Sequence, residues 1–185
     1  MASIASYSIV RNLIVLTYPG AMDTLGTVRD EDFLRLDHQI CFSLHAATRA
    51  FNSVYRTVLK DLGLTYPQYL VMLVLWEHGE LPVKQIGEHL RLDSGTLSPL
   101  LKRLEAAGYV ERRRSAEDER SVTVRPTPAG AELRERAVGV PRRIAAATGM
   151  PLEEVRELRA RLNELAAALD AAEAGALSED CVTER

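Results

Sequence analysis

Between Asp32 and Leu62 the apolar residues Phe33, Leu36, Ile40, Leu44, Ala47, Phe51, Val54 and Leu59 recur mostly at steps of three and four. That spacing is one face of a long helix, and Gly63 is placed to close it. Thr65 then predicts an N-cap, with Pro67 in the first turn, where proline is tolerated. The following segment, YPQYLVMLVLWEH, is apolar on most sides and ends at Gly79. A helix of that kind belongs at the centre of a core. From Pro82 a short helix runs to Leu90. Asp93 or Ser94 then caps a second one, with Leu97, Leu100, Leu101 and Leu104 on one face and Gly108 at its end.

Two short helices joined by a tight turn, the second basic and hydroxyl-rich, describe a helix-turn-helix. The runs YVERRR and SVTVRP flank the polar loop SAEDER and predict a two-stranded hairpin, or wing. Thr127 and Pro128 start another helix, to about Ala147, and Gly149 and Pro151 break it. The last helix carries Leu152, Val155, Leu158, Leu162, Leu165 and Leu169, again at steps of three and four. Such a seam, remote in sequence from the main core, points to a partner subunit. The expected fold is therefore mainly α with a small β-hairpin wing. A winged helix-turn-helix domain, residues 65–127, lies between an N-terminal dimerisation helix, 30–64, and C-terminal dimerisation helices, 128–173. Residues 174–185 read as a flexible tail. Residues 1–29 read as a disordered extension, with Met22 a second possible start. The apolar stretch Ile9–Leu16 is interrupted by Arg11 and Asn12, unlike a signal peptide.

Composition narrows the function. The net charge of -3 gives no global signal for nucleic acid, so any such surface must be a local patch. Cys41 and Cys181 stand far apart, with no CxxC or His/Cys cluster near either. That spacing fits neither a zinc site nor a disulfide scaffold, and it implies a reducing cytoplasm and no metal or other cofactor. No apolar run is long enough to span a bilayer.

Opposite its leucines, the second short helix offers Ser94, Thr96, Ser98, Lys102 and Arg103, together with Pro99. Hydroxyls and cations at helical spacing can meet phosphates and base edges in a major groove. The wing adds Arg112, Arg113, Arg114 and Arg120, which can probe a minor groove. Asp118 is suited to orienting Arg120 or a neighbour by an ion pair. From charge alone these are solvated faces; the order of helix-turn-helix and hairpin turns the reading towards double-stranded DNA. The text LPVKQIGEHLRLDSGTLSPLLKRLEAAGYVERRRSAEDERSVTVRPTPAG closely resembles the MarR family of winged-helix regulators. Asp118-x-Arg120 followed by Thr127 is similar to that family's wing signature, with Pro126 standing where a leucine is common. LDHQICFSLHAATRAF, LTYPQYLVMLVLWEH and LDSGTLSPLLKRLE look like its organic-hydroperoxide-sensing branch, the OhrR regulators.

A cysteine set among Ile40, Phe42 and Leu44 reads by itself as inert core. A reactive thiol needs a lowered pKa and access to solvent. With the helix starting at Asp32, Cys41 lies about two and a half turns in, beyond the reach of the helix dipole. His45, at i+4, shares its face and can approach the sulfur. Tyr55 lies about 21 Å further along a straight helix and could meet only the Cys41 of an antiparallel partner.

The resemblance implies that arrangement: a homodimer with a reactive Cys41, hydrogen-bonded across the interface by Tyr55 and Tyr66. His45 stands where the family usually has a third tyrosine. The reduced dimer would bind an inverted-repeat operator, and an organic hydroperoxide would oxidise Cys41 to a sulfenic acid and release the DNA, most simply as a repressor. Cys181 could resolve the sulfenic acid, but a low-molecular-weight thiol fits better. The alternatives are a MarR-type regulator answering a phenolic ligand in the dimer cleft, or a thiol peroxidase. Neither a peroxidase fold nor an arginine beside the thiol speaks for the enzyme.

Overall fold

The computed structural model describes residues 34–114 and 122–183, with 176–183 as backbone only. It divides into two units. One is 46–149; the other joins the chain up to His45 with the chain from Met150. The first helix, α1 (Ile40–Val58), ends in a short 3-10 turn, Lys60–Leu62, closed by Gly63 in the left-handed conformation at φ 67°. Two arginines from later helices cover the carbonyls left open at this end. Arg136 Nη2 donates to the Asp61 carbonyl at 2.6 Å and Arg143 Nη1 to that of Val58 at 3.5 Å.

Helix α2 (Tyr66–His78) begins where expected. Gln68 Oε1 accepts from the Thr65 N–H at 2.9 Å and from its hydroxyl at 3.0 Å, which ties down the first turn. Its buried residues, among them Tyr69, Val71, Met72, Val74 and Leu75, cover a broad face of the helix, while Leu73 on the opposite side is exposed. Packed on it are α3 (Val83–Leu90), α4 (Ser94–Ala106), the strand β3 (Val122–Pro126) and α5 (Pro128–Ala137). Ile86, Leu97, Leu101, Leu104, Val110, Val124 and Leu133 close that core.

The wing is a three-stranded sheet rather than the expected two-stranded hairpin. Strand β2 (Val110–Arg114) pairs with β3 antiparallel, and β1 (Leu81–Pro82) pairs with the other side of β3, Leu81 opposite Val124. A two-residue strand shows no alternation to read, and proline is admitted because β1 is an edge.

The helix expected from Thr127 to Ala147 is two, α5 and α6 (Val140–Ala147). Pro141 has no N–H, and its ring would clash with the carbonyl four residues back, so the chain turns at Val138–Gly139. Leu133, Ala137, Val140 and Ile144 are buried in the core of unit 46–149, whereas the sequence pattern places residues 128–149 among the dimerisation helices. Helix α7 (Leu152–Thr183) runs through the stretch read as a tail from residue 174. None of its described side chains is buried within the chain.

The N-terminus of α5 nests against the start of β2. A Cβ added to Gly130 would lie 2.0 Å from the Tyr109 carbonyl oxygen, which is backbone and cannot swing away. At Gly139 an added Cβ meets nothing within 4 Å and φ is -77°. We therefore expect Gly130→Ala to lose about 3 kcal/mol or more in urea unfolding, as overpacking against backbone does. Gly139→Ala should gain up to about 1 kcal/mol through the unfolded chain.

Candidate nucleic-acid interface and thiol site

Asp93 caps α4: its carboxylate accepts the Thr96 N–H at 2.9 Å and the Thr96 hydroxyl at 2.7 Å. These bonds, the hydroxyl's first, hold the Asp93 carboxyl below its usual range. The Ser98 hydroxyl donates to the Ser94 carbonyl at 2.7 Å. Thr96 and Ser98 thus spend their protons inside the helix and face outward as acceptors. Ser94, Thr96, Pro99, Lys102 and Arg103 are exposed, and Ser98 is half-buried. Pro99 removes the N–H that would otherwise bond the Gly95 carbonyl. In front of α3 and α4 lies an open groove of about 770 Å³, bordered by Lys84, Arg91, Ser94, Ser98 and Arg112. Lys84 and Arg91 carry no mark in the sequence, where they look like ordinary solvated cations.

The arginines of the wing differ in kind. Arg112 Nε and Nη2 reach Glu105 Oε2 of α4 at 2.8 and 2.6 Å, and the Arg112 N–H reaches Oε1 at 3.3 Å. The Arg112 guanidinium holds the Glu105 carboxyl below its usual range. Arg112 therefore fastens β2 to α4. Glu111 accepts from Arg113 at 3.2 Å and from Arg125 on the neighbouring strand. Arg114 is exposed at the end of β2. Asp118 and Arg120 lie outside the described residues. Glu105, Glu111 and Arg125 escape a reading of the sequence because a pairing across elements leaves no mark in the spacing of one segment.

At the thiol site one expectation is corrected. A 3-10 turn, Leu36–His38, precedes α1, and Gln39 between them is extended at φ -85°, ψ 114°. Its carbonyl accepts from the N–H groups of Phe42 and Ser43. Helix α1 thus starts at Ile40 and Cys41 is its second residue, at the end where peptide dipoles favour negative charge. Cys41 is exposed, as is His45 four residues on. Neither side chain has a hydrogen-bond partner among the described residues of its own chain.

Tyr55 of α1 and Tyr66 of α2 are brought together, their rings stacked with centroids 4.2 Å apart. Tyr69, not anticipated from the sequence, lies 6.0 Å from Tyr55; its place one turn after Tyr66 was the signal to be had. Burial, then the neighbouring phenols, pushes Tyr55 up to about 12. Burial also raises Tyr66 and Tyr69. All three are therefore protonated donors at neutral pH. The backbone of Cys181 belongs to α7, and its side chain lies outside the described set. Among the described residues no His, Cys, Asp and Glu side chains gather into a metal-binding group, and no helix is long and apolar enough to cross a membrane.

Residues 53–136 match the family model of the transcriptional regulator SarA/Rot. Over 134 residues the chain is 46% identical to the organic hydroperoxide resistance transcriptional regulator of Bacillus subtilis (strain 168), covering 72% of this chain and 91% of that one. Over 128 residues it is 51% identical to the HTH-type transcriptional regulator TtmR of Methylorubrum extorquens (strain PA1), covering 69% and 66%. The structure of reduced AbfR bound to DNA, a protein of Staphylococcus epidermidis, superposes with a TM-score of 0.67 at 36% identity, covering 77% and 98%. Fold, recognition helix and relatives define a DNA-binding winged-helix transcriptional regulator. More closely, the chain belongs to the MarR family, in the branch of the organic hydroperoxide resistance regulators.

Two measurements check this geometry. Arg103→Gln should flatten the dependence of log K on log salt by about 0.9 for each phosphate that is no longer neutralised. Arg112→Gln, by comparison, should weaken binding without changing that slope. In a 295 nm absorbance titration the Tyr55 phenol should ionise near pH 12, later than an ordinary tyrosine. Because the fold favours the protonated phenol, its contribution to stability is present below about pH 10 and is lost as pH rises towards 12.

Proposed function

We propose that the protein is a homodimeric repressor of the cytoplasm that holds an inverted-repeat operator while Cys41 is reduced and lets go when an organic hydroperoxide oxidises it. The observation that carries this reading is a complementary donor and acceptor left unpaired among the described residues. Cys41 is exposed and undonated in its own chain, whereas Tyr55 and Tyr66 present protonated phenols without a hydrogen-bond acceptor among the described residues. In an antiparallel dimer each could satisfy the other. The uncovered apolar side chains support a partner subunit: Ile40 (66% exposed) and Phe51 on α1, and Leu158 and Leu169 (60% exposed) on α7.

The chemistry is a two-electron oxidation. The thiolate attacks the terminal oxygen of the hydroperoxide, an S–O bond forms, and the O–O bond breaks. The alkoxide leaves and takes a proton to become the alcohol, and sulfur is left as sulfenic acid. Condensation with a low-molecular-weight thiol, or with Cys181, then forms a disulfide and expels water. The added oxygen or thiol group no longer fits beside the phenols. His45, one turn from the sulfur and without a partner among the described residues, would be a further donor once turned towards the thiolate. On the DNA side Ser94, Thr96, Ser98, Pro99, Lys102 and Arg103 would face the major groove, and Arg113, Arg114 and Arg120 the flanking minor groove.

The decisive test is a binding titration on a duplex from the protein's own upstream region, before and after one equivalent of cumene hydroperoxide. Wild type should lose operator affinity by on the order of ten-fold or more, a usual scale of coupling between sites. Cys41→Ser should hold on. If both variants release, or neither does, Cys41 is not the sensor and a ligand in the dimer cleft takes its place.

A further inference from the structure

Trp76 is the single tryptophan of the chain, and it stands between the phenol cluster and the start of α5. Its ring meets Tyr69 edge-on, with centroids 6.2 Å apart, and Tyr69 in turn lies beside Tyr55. On its other side the indole N–H donates to the Gly130 carbonyl at 2.8 Å, in the first turn of α5. Gly130 cannot retreat, since it already sits against the Tyr109 carbonyl. Its own N–H donates to Thr127 Oγ1 at 3.1 Å. That hydroxyl donates to the carbonyl of Gly108, where α4 ends, at 2.6 Å. Thr127 N–H also bonds the Tyr109 carbonyl at 3.0 Å, fixing the same joint from the other strand.

We propose that Trp76 is a positioning residue that carries the state of the Tyr55–Tyr66–Tyr69 cluster to the end of the recognition helix through Gly130 and Thr127. Close-packed rings and a backbone joint without slack do not deform gradually; they shift between arrangements. A displacement of the phenols is therefore delivered where α4 passes into β2, and it re-aims helix and wing together. This inference rests on the reading that Cys41 oxidation disturbs the phenols. The contacts from Tyr69 to Gly108 exist independently of it.

The test uses the full-length reduced protein. Operator duplex should change Trp76 emission, and a scrambled duplex of equal length should not. Trp76→Phe keeps a ring and deletes the indole N–H. It should bind the operator within roughly three-fold of wild type, yet lose less than about two-fold on treatment with cumene hydroperoxide, as expected when coupling and not binding is removed. Thr127→Val should show the same uncoupling, and Thr127→Ser, which retains the hydroxyl, should restore release; these two decide the matter if Trp76→Phe does not fold. Unchanged emission with operator, or release by Trp76→Phe or Thr127→Val equal to wild type, overturns the proposal. If wild type itself keeps its operator after hydroperoxide, the thiol reading fails, and the emission change alone decides the relay.

Discussion

Helix α2, buried over a broad face by Tyr69, Val71, Met72, Val74 and Leu75, is the common surface on which α3, α4, α5 and β3 pack. Its ends are as consequential as its middle. Tyr66 and Tyr69 in the first turns join Tyr55 of α1, and Trp76 in the last turn grips the start of α5. One helix therefore touches the phenols at one end and the frame of the reading head at the other. Apolar contact supplies cohesion without direction. The hydrogen bonds at the Gly108–Thr127–Gly130 joint supply direction, since each ties the Thr127 hydroxyl to backbone.

Charge is divided between holding and reading. Arg112 and Arg125 are engaged with Glu105 and Glu111, and Arg136 and Arg143 cover the carbonyls at the end of α1. Lys102 and Arg103 are exposed, without an ion pair among the described residues. A chain with net charge -3 still presents a basic face on α4, because Glu105 and Glu111 are engaged with arginines of the sheet. The half-buried Glu105–Arg112 fork fixes the angle between helix and strand.

Cys41 shows how far local reasoning reaches. Spacing alone carries one helix from Asp32 onward and puts the cysteine well inside it. Gln39 takes an extended conformation that no periodicity announces, and it moves Cys41 to the second position of α1. Likewise the spacing runs one helix through Pro141, and whether a proline bends or ends a helix depends on what the following turn packs against. Val140 and Ile144 are buried, so the chain turns back onto the core.

Hydrophobic period, caps and breakers are local, and they determined the order of elements: Thr65, Asp93 and Thr127 each cap the helix that follows, and the apolar α2 lies at the centre. The family and the candidate residues on α4 were legible for the same reason, being contiguous text. Only the tertiary structure decided which arginines are struts, that a two-residue edge strand completes the sheet, and that Tyr55, Tyr66, Tyr69 and Trp76 form one connected group. Those are pairings between residues distant in sequence. Their partners are chosen by packing, which a one-dimensional pattern does not encode.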